Sequence, residues 1–70
     1  MCLLKVYLDK GAGRSLIAED VALVEREGTI VKLRNIERKG VTTLEGVDVY
    51  LIDTLNSVMI LKPKTEEVAS

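Results

Sequence analysis

Apolar and polar residues alternate with a period of two along most of the chain, the spacing of a strand with one buried face. Cys2 to Leu8 reads as a first strand, with Cys2, Leu4, Val6 and Leu8 on the predicted core face and Leu3, Lys5 and Tyr7 on the other. Asp9-Lys10-Gly11-Ala12-Gly13 reads as a turn. Arg14 to Ala18 is a short strand, Glu19-Asp20 interrupts it, and Val21 to Glu27 follows. Glu27-Gly28 is the expected hairpin joint to Thr29–Ile36, where Val31 and Leu33 point inward and Lys32 and Arg34 share a face with Ile30. Glu37-Arg38-Lys39-Gly40 is a charged loop, Val41 to Glu45 a short strand, and Gly46 a bulge or turn. In Val47 to Asp53, Val47, Val49 and Leu51 lie opposite Asp48, Tyr50 and Ile52. Thr54-Leu55-Asn56-Ser57 turns the chain into a last strand, Val58 to Lys62, which Pro63 ends. The pattern predicts an all-β fold, a small sheet or barrel of five to six short antiparallel strands over residues 1–62, with a polar tail over 63–70. A helix from Ile17 to Glu27 competes, because Ile17, Val21 and Val24 also fit helical spacing. The abundance of valine and the glycine at 28 favour strands.

Composition changes the picture in one respect. A 70-residue chain buries only about 60% of its unfolded surface, and such a core supplies about 3–5 kcal/mol. The single cysteine excludes an intrachain disulfide, so a metal or a second subunit is the expected supplement. With 47% hydrophobic and 30% charged residues the chain is not of disordered composition. The net charge of −1 and the two aromatic residues, Tyr7 and Tyr50, argue against binding that works by neutralising phosphates or stacking bases. No apolar run approaches the roughly 20 residues of a membrane span. The start Met1-Cys2-Leu3-Leu4-Lys5 lacks the basic region and apolar stretch of a signal peptide. A lone thiol then fits a cytoplasmic location.

Candidate chemistry is sparse. Without histidine, Ser15, Ser57 and Ser70 have no base partner for a triad. The carboxylates Glu19, Asp20, Asp48 and Asp53 read as solvated surface. Gly11-Ala12-Gly13 lacks the third glycine and following helix of a dinucleotide motif. The chain therefore reads as a protein without enzymatic activity. Cys2 stands apart. As a buried residue it would be a small apolar side chain. As the residue after the initiator methionine, it becomes N-terminal if Met1 is removed. It would then offer a thiolate and an α-amine, with reference pKa values of about 8.5 and about 7.7–8.0, one chelate ring apart. Two such donors fill half a square plane, and two chains about a twofold axis fill all of it. Planar sulfur and nitrogen suit Ni(II) or Cu(II) better than tetrahedral Zn(II).

Met1-Cys2-Leu3-Leu4-Lys5-Val6-Tyr7-Leu8 resembles the opening of the CooT family of small nickel-binding proteins. Glu19-Asp20-Val21, with the valine-rich hairpin turning at Gly28, is similar to that family. So is Leu51-Ile52-Asp53-Thr54-Leu55-Asn56-Ser57, followed by Val58-Met59-Ile60-Leu61. The resemblance covers Met1 to Leu61, and its most specific element is the Met-Cys start. It departs at Leu33 to Gly40, where the family's glycine-containing turn is not matched. It implies an SH3-like barrel acting as a homodimer, Ni(II) held through Cys2, and a metallochaperone role toward a nickel-receiving enzyme of the carbon monoxide dehydrogenase type. Related chains have also carried the label of predicted RNA-binding protein. For that alternative the candidate contacts are Lys32, Arg34, Arg38 and Lys39, with Tyr7 as a stacking ring. Interleaved with Glu37, they also read as a solvated face.

Overall fold

The computed structural model describes residues 3–37 and 40–64. Six strands form one sheet: β1 (Leu4–Asp9), β2 (Arg14–Glu27), β3 (Ile30–Asn35), β4 (Val41–Glu45), β5 (Val47–Asp53) and β6 (Val58–Pro63). Their order in the sheet is β4-β3-β2-β1-β6-β5. The chain is all-β, and residues 17–27 lie wholly within β2, so the competing helix is not formed. Valine at 21 and 24 favours this, since a β-branched side chain loses little freedom on a pleated surface.

Four of the five pairings are antiparallel, but β1 and β6 are parallel, with Val6 beside Met59 and Leu8 beside Leu61. The expectation of antiparallel strands throughout fails here for a local reason. Every other connection reverses the chain. Gly46 does not: it sits at φ 76°, conformationally easy for glycine, and joins the end of β4 to the start of β5 across one residue. Its N–H donates to the carbonyl of Thr29 and its carbonyl accepts from Lys64. With one reversal missing, β6 runs the same way as β1. The two strands at the ends of the sheet, β4 and β5, are thus consecutive in the chain, although no ladder joins them in the described sheet.

The interruption expected at Glu19-Asp20 is a bulge inside one long strand. Three steps along β2, from Ala18 to Val21, face two steps along β1, from Val6 to Leu4, and a second extra residue lies between Leu16 and Ala18. Asp20 takes φ 53°, a conformation that aspartate tolerates better than most residues. The bulges bend β2, so that its first half pairs with β1 and its second with β3. The hairpin joint falls one residue later than expected. Gly28 and Thr29 form the turn, with Gly28 at φ 60° and Glu27 paired with Ile30.

Val6, Val21, Val31, Leu33, Val47, Met59 and Leu61 form the buried core, with Leu4, Leu8, Ile17, Ala18, Val24 and Leu44 packed against it. The predicted inward residues Leu4, Val6 and Leu8 of β1 and Val31 and Leu33 of β3 are therefore in place, while Cys2, expected on the same face, lies outside the described residues. The alternation predicted for β5 is wrong beyond Val49. A bulge at Tyr50 leaves Val49 beside Leu61 but sets Leu51 beside Ile60 and Ile52 beside Met59. One extra residue moves every later side chain to the other face. Ile52 thus shares the face of Val49, and Leu51 the opposite one. Pro63 is the last residue of β6, opposite Val47, and the rest of the expected tail, residues 65–70, lies outside the described residues.

Candidate functional site

Cys2 lies outside the described residues, two positions before β1 begins at Leu4. The β1 end of the sheet is built by four segments that its hydrogen bonds tie together. Leu4 pairs with Val21 on β2, and Val21 with Asn35 on β3. The Ile36 N–H donates to the Asp20 carbonyl at 2.9 Å, closing β3 onto the bend of β2. The Lys5 N–H donates to the Ser57 carbonyl at 3.0 Å, closing the β5–β6 turn onto β1.

That turn is fixed by Asp53. Its Oδ1 accepts from the N–H groups of Leu55 and Asn56, both at 3.0 Å, and its Oδ2 accepts from Asn56 Nδ2 at 2.9 Å. The Asn56 side-chain amide, then the Asn56 N–H, with help from that of Leu55, hold the carboxyl below its ordinary pKa. Ser57 at φ 59° completes the turn. The consequence is chemical as well as structural: both Asp53 oxygens are occupied by their own turn. Among the described residues, no three His, Cys, Asp or Glu side chains come together in a way that could hold a metal ion.

Two features of this end were not anticipated from sequence. Asn35 Oδ1 is buried with no hydrogen-bond partner among the described residues, and an unmet buried acceptor costs about 1–3 kcal/mol. Leu55, at the tip of the turn, is 89% exposed, and Ile36 and Ile52 are exposed at the same end. An asparagine closing an otherwise apolar inward series (Val31, Leu33, Asn35) is the signal that marked the first. A leucine between Asp53 and Asn56 in a turn marked the second.

The basic candidates are divided. Arg38 and Lys39 lie outside the described residues. Lys32 Nζ stands 3.5 Å from Glu27 Oε1, and Arg34 Nε 3.3 Å from Glu25 Oε1, so each described cation faces a carboxylate on the neighbouring strand. Tyr7 is not beside them. It is half-buried in a row with Leu16, Ile60 and Leu51, whereas Arg34 pairs with Leu23 and Lys32 with Glu25, past the bulges of β2. The exposed ring is Tyr50, which the bulge of β5 sets under Lys62, with Nζ 3.8 Å from the ring centroid.

No helix is long and apolar enough to cross a membrane among the described residues. Neither the known family models nor the curated proteins contain a match to this chain.

Proposed function

We propose that this chain is a small non-enzymatic nickel-binding protein of the CooT type, a cytoplasmic metallochaperone that carries Ni(II) as cargo for a nickel-dependent metalloenzyme. The observation that carries the proposal is the position of its one thiol. Cys2 is the only cysteine of a chain without histidine, and it lies two positions before a strand whose start is tied to two other segments of the sheet. In this reading Met1 is removed, the Cys2 thiolate and α-amine are the donors, and two copies complete the metal's coordination. The hydrogen bonds on Asp53 support Cys2 as the donor, because three of the carboxylate's lone-pair directions are already committed to its own turn.

Titration of Ni(II) into untagged protein, with the N-terminal residue identified by mass spectrometry, tests the proposal. One nickel per two chains, with thiolate-to-metal charge-transfer absorption, is the expected result. A Cys2→Ser variant that still takes up stoichiometric nickel would sink it. The RNA-binding alternative gains no specific support, since the two described members of its basic cluster, Lys32 and Arg34, are each set against a glutamate.

A further inference from the structure

We infer that Asn35 is a positioning residue for the N-terminal donors: its side-chain oxygen accepts a hydrogen bond from the nitrogen of Cys2 and so sets where that nitrogen and its thiol lie. The inference rests on the nickel-binding reading above and assigns a further residue to the same site. Three observations carry it. The first is an unmet oxygen. Asn35 Oδ1 is buried without a partner, the one such side-chain atom among the described residues. The fully buried residues among them are all hydrophobic. An apolar residue at 35 would extend the inward series of Val31 and Leu33 without leaving an acceptor unpaired, so the oxygen costs the fold something that a leucine would not.

The second is placement. Paired residues of neighbouring strands share a face of the sheet. Leu4 pairs with Val21, and Val21 with Asn35, so the three form one row on the core face. Asn35 thus lies level with the first residue of β1. Two strand spacings separate it from Leu4, about 10 Å. The two residues before Leu4 reach about 7 Å, and the asparagine side chain spans the rest. Leu3, although half-buried, is already off the ladder, so the chain is free to cross the row there.

The third is the supply of donors. The Ile36 N–H is given to the Asp20 carbonyl and the Lys5 N–H to the Ser57 carbonyl. The chain left within reach is Met1-Cys2 on one side and Arg38-Lys39 on the other, both outside the described residues. Chemistry selects between them. Arg38 and Lys39 carry full charges that no carboxylate in the row would meet. The Cys2 nitrogen has its own thiolate beside it, and a metal-bound amine still has an N–H to donate.

Asn35→Leu tests the inference, in full-length protein whose first residue is shown by mass spectrometry to be Cys2. Without metal, the wild type should show nuclear Overhauser contacts between the Asn35 side-chain amide and the Cys2 β-protons. The variant should lose order at the Leu3 amide yet melt no lower than the wild type. With Ni(II) it should bind about 10-fold or more weakly, with displaced ligand-field bands. Asn35→Asp keeps an acceptor in place and should restore both. A wild type without those contacts overturns the inference, and so does an Asn35→Leu variant whose nickel affinity and bands are unchanged. A double variant, Arg38→Ala with Lys39→Ala, that reproduces the Asn35→Leu effects gives the oxygen to that loop and overturns it as well. The metal reading fails separately: contacts present in a protein that takes up no nickel support the hold of Asn35 on Cys2 and overturn the metal.

Discussion

Lys5 donates its backbone N–H to the carbonyl of Ser57 at 3.0 Å. One hydrogen bond thereby fixes the β5–β6 turn against the strand that follows Cys2, and the turn is internally fixed by Asp53. The exposed Leu55 is therefore tied to the start of β1 through hydrogen-bonded backbone.

The turn's rigidity should be pH-dependent. The Asp53 carboxyl is held below its ordinary range in the folded chain by Asn56 and Leu55. A depressed folded pKa contributes stability that is fully present above the unfolded value of about 3.9 and lost as pH falls through the folded one. Asp53→Ala should lower the melting temperature at pH 7. Its melting curve and that of the wild type should converge as the pH is lowered below about 3. A constant gap across that range would show that the carboxylate's charge is not what holds the turn.

Nickel affinity should also fall on acidification, but through the donors rather than the fold. Thiolate and free amine are both lost to protonation on acidification, so nickel binding should weaken steadily as pH falls from 8 to 6. Chelator competition at fixed ionic strength measures this. Affinity that is flat across that interval would point to carboxylate or carbonyl ligands instead.

The joint at Gly46 should be intolerant of a side chain for conformational reasons alone. Nothing lies within 4 Å of a Cβ placed there, but φ is 76°. Gly46→Ala should cost about 1–2 kcal/mol, a fall of roughly 4–16 °C in melting temperature for a domain of this size. Gly40 has equally open space and no such φ, so Gly40→Ala should be neutral or slightly stabilising. Equal effects at the two sites would remove conformation as the explanation.

Core and surface leucines should separate sharply. Leu61 is fully buried at the parallel β1–β6 seam, and Leu61→Ala should cost about 2–5 kcal/mol. That approaches the whole stability of so small a core, so the variant should be largely unfolded in the absence of denaturant. Leu55→Ala should leave the urea midpoint of the dissociated chain unchanged.

Freed of their carboxylates, Lys32 and Arg34 become a direct test of the nucleic-acid alternative. Glu25→Gln together with Glu27→Gln removes both ion pairs at a stability cost of about 1 kcal/mol or less, because the pairs are solvated. The wild type should show no salt-sensitive shift with single-stranded RNA at low ionic strength, whereas the double variant should acquire one. Tight binding by the wild type would restore the alternative.

The period-two pattern was enough to place β1, β3, β4 and β6 and to identify Leu4, Val6, Leu8, Val31 and Leu33 as inward-facing. Alternation is a local property, and it survives wherever strands are regular. It failed at Tyr50 and around Ile17 to Asp20, where an extra residue enters one strand of a pair. A bulge changes the register against a partner strand, and the partner is remote in sequence. The parallel β1–β6 pairing was hidden for a related reason: it depends on whether Gly46 reverses the chain, and a glycine permits either outcome. At the candidate site, the turn at Thr54 to Ser57 was legible from its residue types. The buried Asn35 oxygen and the exposed Leu55 left only slight traces, an asparagine ending an apolar inward series and a leucine inside a polar turn, and the hold of Asp53 on that turn depends on the assembled end.

The parallel seam also sets the order in which the sheet can be completed. The antiparallel run β1 to β4 uses neighbours in sequence, so its hairpins close over short loops as the chain emerges during synthesis. β1, by contrast, gains its second neighbour only when Val58 to Leu61 have been made. Until then the Val6 and Leu8 edge is an open strand, able to recruit any extended segment it meets. Synthesis of β6 is thus the event that seals the fold, and a chain truncated before β6 should aggregate rather than fold to a smaller sheet.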